Sequence, residues 1–130
     1  LRQHQYFLFC PDCLGFKTSL YNNERCLCGK QFQFAGPLWM GKLGDNILIT
    51  KMARNNPFPE EQKFLETLKE EAKMDTVGFY DLHQLARKYK TNPPRMEEVL
   101  KKLNAVRTHF SMTGIKTEKH FKELISFFNP

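Results

Sequence analysis

Arg107-Thr-His-Phe-Ser-Met-Thr-Gly-Ile-Lys-Thr117 is the stretch whose reading decides the fold of the second half of this chain. It reads as a short β-hairpin. Val106, Thr108 and Phe110 alternate with Arg107, His109 and Ser111, which predicts one apolar face and one polar, cationic face. Gly114 stands where a reversal needs a permissive backbone, and Ile115-Lys116-Thr117 runs back. Two amphipathic helical stretches precede it. Leu82, Leu85, Ala86 and Tyr89 form one stripe, with Asp81 and Gln84 as a capping box. Met96, Val99, Leu100 and Leu103 form the next, with Asn92 as cap and Pro93 at the first helical position. A basic hairpin after two such helices is the layout of a winged helix, a shape that touches phosphate backbones.

Outward from there, Phe64, Leu65, Leu68 and Ala72 form an earlier stripe, opened by Pro59 and the acidic pair Glu60 and Glu61. Phe121, Leu124, Ile125 and Phe128 form a last one, with Thr117 as its cap. Before the breaker cluster Asn55-Asn-Pro-Phe-Pro59 the chain holds short apolar runs separated by turns, which predicts strands. The expected fold class is α+β. A strand-rich, zinc-ribbon-like module over 1–56 precedes a winged-helix-like module with a β-hairpin over 57–130.

Four cysteines lie in the first module: Cys10-Pro-Asp-Cys13, then Cys26-Leu-Cys28 followed by Gly29. Two close pairs on adjacent turns supply the four soft ligands of a tetrahedral zinc site. The second pair is one residue tighter than the usual knuckle, so its turn must differ. A disulfide and buried free thiols are the competing readings, and His4 is a spare ligand. The site would be closed and structural.

The chain is 130 residues with 41% hydrophobic residues, twelve of them Phe, and a net charge of +6. That balance favours a polyanionic partner. Residues 1–58 carry seven Lys/Arg against three Asp/Glu, 59–75 three against six, and 76–130 ten against five. An acidic helix thus separates two basic regions. No signal peptide, membrane span or lipidation motif is legible. A start at Leu1, close to the strand-like run Tyr6-Phe-Leu-Phe9, reads as a fragment of a longer protein.

The only Trp, Trp39, lies in Gly36-Pro-Leu-Trp-Met-Gly-Lys-Leu-Gly-Asp45. It is a core anchor or an exposed platform for base stacking. The order cysteine pairs, Gly36-Pro-Leu-Trp-x-Gly-x-Leu-x-Asp45, Arg107-Thr-His-Phe-x-x-x-Gly-Ile-Lys-Thr117 resembles the carboxy-terminal half of the tRNA (guanine(26)-N2)-dimethyltransferases over nearly the whole chain. Val106 stands where members often carry Ser, and Glu118-Lys119-His120 replaces an Asp-Ala-Pro-like turn.

The resemblance implies an amino-terminal methyltransferase domain, absent from this chain, that binds S-adenosylmethionine. It implies methylation of the exocyclic amine of a guanosine at the junction of the D and anticodon stems. This chain would grip the tRNA, pack against that domain and act in the cytoplasm, or in the nucleus of a eukaryote. Arg107, His109 and Lys116 are expected to face RNA, with Thr108 and Thr117 supporting them, Phe110 and Ile115 beneath, and Trp39 as a further contact.

No catalytic group is expected here. Asn92-Pro93-Pro94-Arg95 has the outline of an amino-methyltransferase loop, but Arg95 replaces the aromatic and a helix start explains it. His83, His109 and His120 lack a partnered nucleophile. Two other classes fit parts of the pattern: a zinc-ribbon and winged-helix module of a transcription factor, and a protein-docking module.

Overall fold

The computed structural model describes residues 3–129. The chain divides after Gly41 into two compact units.

The first unit is a three-stranded antiparallel sheet. Strands β1 (His4–Phe9), β2 (Phe16–Ser19) and β3 (Gln33–Trp39) are ordered β2-β1-β3. Phe7 opposes Thr18 on one side and Ala35 on the other, and the register of β1 on β3 slips between Gln5 and Phe7. Gly36 sits in β3 with φ +123°. A Cβ there would lie 2.8 Å from the Leu38 nitrogen and 3.1 Å from the Gln5 carbonyl, so only glycine fits. The core is small: Leu8, Cys10 and Phe32, with Tyr6, Cys13 and Cys26 packed against them.

The second unit opens with a helix, α1 (Asn46–Arg54). Asp45 caps it, accepting from the Ile47 and Leu48 amides at 3.0 Å. The expected boundary at residue 56 is therefore corrected. α1 packs on α2 (Gln62–Glu71), burying Ala53, and belongs with the second unit. The breaker cluster is the turn between these helices. Asn56 holds it by donating to the Phe58 carbonyl and accepting from the Phe58 amide. A 3-10 turn at Pro59–Glu61 then leads into α2.

There follow β4 (Tyr80–Asp81), α3 (Leu82–Lys88), α4 (Met96–Lys102), β5 (Val106–Arg107), β6 (Gly114–Lys116) and α5 (Phe121–Ile125). The strands form an antiparallel sheet in the order β4-β6-β5, pairing Tyr80 with Ile115 and Val106 with Lys116. Each predicted stripe buries part of its length, although Phe64 of the first stays exposed. Leu65, Leu82, Leu85, Ala86, Val99, Leu103, Ile115, Leu124 and Phe128 are all buried. Each larger side chain among them contributes roughly 1.5–3 kcal/mol.

Two helix starts differ from expectation. α4 begins at Met96 rather than at Pro93, with Arg95 at the cap position and no side-chain cap. The paired prolines hold an extended lead-in. α5 is capped by His120, not Thr117: His120 Nδ1 accepts from the Lys122 amide and Glu123 returns the bond to the His120 amide. Thr117 is occupied elsewhere, donating to the Leu103 carbonyl at 2.9 Å.

Candidate functional site

Two constructions concentrate chemistry. The first is the cysteine cluster. Cys10 directly follows β1, and the chain turns so that the Leu14 amide returns to the Cys10 carbonyl at 2.9 Å with Leu14 at φ 66°. The tighter second pair turns on Gly29, φ 91°, whose amide reaches the Cys26 carbonyl at 2.9 Å. All four sulfurs lie within 4.8 Å of one another. Cys10 and Cys28 Sγ are 3.6 Å apart, and Cys13 and Cys26 Sγ 3.9 Å. No disulfide joins them at those separations. Tetrahedral zinc with Zn–S near 2.3 Å sets sulfurs about 3.8 Å apart, so the cluster fits that ion. His4 is not among the ligand set; its ring packs edge-on to Trp39 at 5.6 Å.

The thiols differ. Burial, then hydrogen bonds with the neighbouring thiols, pushes Cys13 well above the ordinary thiol range. The backbone amide of Lys30, then the Cys13 thiol, holds Cys28 down at about 7. Crowded sulfurs of this kind are the donor set a cation satisfies.

The second construction is the loop joining β5 to β6, residues 108–113. Glu71, 5% exposed at the end of α2, takes its first residues. Oε1 accepts from Thr108 Oγ1 at 2.8 Å and from Lys116 Nζ at 3.1 Å. Oε2 accepts from the His109 amide at 2.9 Å and from His109 Nδ1 at 2.6 Å. An ionised carboxylate only accepts, so Nδ1 carries the proton. Burial alone would raise the Glu71 carboxyl, but bonds from His109, Thr108 and Lys116 outweigh it and hold the group below the ordinary carboxylate range.

Asp81 takes the far end of the loop. It caps α3 through the His83 and Gln84 amides and also accepts from Thr113 Oγ1 at 2.9 Å and Ser111 Oγ at 3.0 Å. Burial opposes these bonds and loses, so its carboxyl too lies low. Gly114 is needed for space, not for a reversal. A Cβ there would lie 2.6 Å from the Thr108 methyl and 2.9 Å from the Phe79 ring.

This geometry corrects the alternation read from sequence, because only 106–107 and 114–116 are extended. Lys116 is 6% exposed and points inward to Glu71, so it shares no outer face with Arg107. Thr108 and Thr117 are buried as well. Phe110, expected beneath, is 63% exposed, whereas Ile115 is fully buried. Arg107 is at the surface, 3.9 Å from Glu97. Trp39 is about half exposed, its indole lying across Gly41. Sequence reasoning missed Glu71, although its place three residues after Leu68 put it beside the apolar stripe of α2.

The chain matches the model of the family described as N2,N2-dimethylguanosine tRNA methyltransferase over residues 1–129. It belongs to that family. Among its relatives is the tRNA (guanine(26)-N(2)/guanine(27)-N(2))-dimethyltransferase of Aquifex aeolicus. It is 38% identical over 96% of this chain and 34% of its own length. The tRNA (guanine(26)-N(2))-dimethyltransferase of Methanocaldococcus jannaschii is 38% identical over 75% of this chain and 28% of its own length. Trm1 from Pyrococcus horikoshii, solved in complex with S-adenosyl-L-methionine, has a like fold with a TM-score of 0.76. It is 26% identical over 95% of this chain and 34% of that one. The chain thus spans about a third of the length of these methyltransferases. A transcription-factor origin is not favoured. Among the described residues, no helix is long and apolar enough to cross a membrane.

Proposed function

We propose that this chain is the carboxy-terminal, tRNA-gripping part of an S-adenosylmethionine-dependent tRNA (guanine(26)-N2)-dimethyltransferase. The observation that carries the reading is the family match along the chain together with relatives about three times its length. The substrate and S-adenosylmethionine named for the relatives come to the whole protein with that match. The methyl transfer itself belongs to the part of the protein outside this sequence. This chain's residues bind and orient.

The first unit is read as zinc-ribbon-like, with Cys10, Cys13, Cys26 and Cys28 holding a structural zinc ion. Zinc bound there joins the two turns and adds folding free energy. The second unit is read as winged-helix-like. Its order of helix, strand, two helices and a hairpin, with the hairpin paired to the strand before them, supports that reading. The 108–113 loop is then the wing.

On this reading Arg107 meets a phosphate, His109 lies beside it, and Trp39 is a further RNA contact. Thr108, Lys116 and Thr117 act from within, fixing the wing. The outer face of α1, with Ile47, Leu48 and Met52 exposed, is where the protein's own methyltransferase domain packs. The protein works in the cytoplasm, or also in the nucleus of a eukaryote.

Filter binding of this chain to unmodified tRNA and to duplex DNA of equal charge, at two salt concentrations, tests the reading. A preference for tRNA is expected, and Arg107→Ala should lower the salt slope by about one unit. Equal binding to both polyanions overturns the grip. An unchanged slope removes Arg107 from it.

A further inference from the structure

We propose that the tip of the 108–113 loop, Phe110 with Met112, is an apolar wedge that packs against bases of the RNA while Arg107 beside it holds the backbone. The inference rests on the tRNA reading and deepens it by naming where bases are touched.

Phe110 is 63% exposed and Met112 86%. The apolar surface these side chains leave in water gains nothing for the fold. Yet the loop that carries them is fixed at both ends. Thr108 and His109 are bonded to Glu71, and Ser111 and Thr113 to Asp81. Within the loop the Phe110 amide bonds to Thr108 Oγ1 at 3.3 Å and the Gly114 amide to the Ser111 carbonyl at 3.1 Å. One face of the Phe110 ring stacks on Phe79, centroids 5.7 Å apart and 9° from parallel. The loop backbone and the Phe110 ring are therefore held in place before any partner arrives, which lowers the entropy cost of insertion.

The surroundings favour RNA over protein. Residues 76–130 carry twice as many basic as acidic groups. Beside the tip lies a groove of about 380 Å³ lined by Glu60, Lys63, Phe64, Arg107, His109 and Met112. It sets apolar walls next to two cations, Lys63 and Arg107, against the one acid Glu60, and apolar wall beside cation is the pairing a base with its phosphate requires. An exocyclic amine within a base stack is shielded, so an enzyme acting on it must take the base out. Apolar wedges of Phe or Met are a known means of unstacking.

The test uses the full-length protein and tRNA carrying 2-aminopurine at positions flanking the junction of the D and anticodon stems. Binding of the unaltered protein should raise the fluorescence. Met112→Ala should abolish the rise and weaken binding about tenfold with the salt slope unchanged, as expected for a base contact. Arg107→Ala should lower the slope and keep the rise at saturation. Met112 is almost fully exposed, so its variant should melt at the unaltered temperature, and it serves as the main arm beside Phe110→Ala. If Met112→Ala keeps both affinity and fluorescence rise, the wedge is overturned while tRNA binding stands. If the unaltered protein shows no preference for tRNA over duplex DNA, the tRNA reading falls and the wedge with it.

Discussion

Cys10, Cys13, Cys26 and Cys28 draw two turns of the first unit around a point that a cation fits; Glu71 and Asp81 draw a loop of the second unit onto α2 and α3 with donors the chain itself supplies. The difference follows from the cores. The first unit spans Leu1–Gly41 and, among the described residues, has only Leu8, Cys10 and Phe32 at its centre. At that size a core seldom suffices, and a metal or cross-link makes up the deficit. The second unit has five helices packed with a sheet and can carry a buried carboxylate provided every oxygen is satisfied. On the zinc reading proposed above, size decides whether a loop is held from outside the chain or from within it.

The contrast breaks most sharply on metal removal. A strong chelator, or Cys13→Ser, should unfold the first unit, since structural zinc contributes on the order of 10 kcal/mol of apparent binding free energy. The second unit should keep its melting transition. Far-ultraviolet circular dichroism with limited proteolysis would follow both; a first unit that keeps its protection without metal would contradict the size argument.

Next in magnitude is Glu71→Ala. It leaves Lys116 buried without a counter-charge and frees Thr108 and His109, at a cost of about 3–5 kcal/mol. Denaturant unfolding should locate that loss in the second unit only. A loss below 1 kcal/mol would mean that Lys116 escapes to water.

Acid should separate the units more gently. The Glu71 and Asp81 carboxyls are held low in the folded state. Their contribution is complete above the ordinary carboxyl values of 4.5 and 3.8 and is lost as pH falls through the lower folded values. The melting temperature of the second unit should therefore drop below about pH 4.5, and Glu71→Gln should flatten that drop. A slope identical in the variant would assign the acid sensitivity to other groups.

The smallest effect expected is Asp45→Ala. Loss of the α1 cap should cost about 1 kcal/mol in the second unit. Equal destabilisation of the first unit would argue against a division after Gly41.

Much of the core was legible because helical periodicity reports burial directly: Leu82, Leu85 and Ala86, or Leu124 and Phe128, follow the period and are inside. The clustering of the cysteines was legible because they come as two closely spaced pairs on adjacent turns. What failed shares a cause. α1 was hidden by apolar residues that stay exposed, Ile47, Leu48 and Met52, and so read as short strand-like runs. Lys116 was placed beside Arg107, but β6 pairs it with Val106 and pairs Arg107 with Ile115, so strand alternation sets the two cations on opposite faces, and no local pattern fixes that register. Glu71 was read only as one charge of an acidic helix because its partners lie 37 to 45 positions away, where no local pattern reaches.

The two carboxylates also define a path for mechanical load. A pull on the 108–113 loop passes through Thr108 and His109 into Glu71 and the end of α2, and through Ser111 and Thr113 into Asp81 and the start of α3. The loop is a lever with two bearings. A bound partner that shifts it must carry both helices along or first strip the bonds from one of the acids.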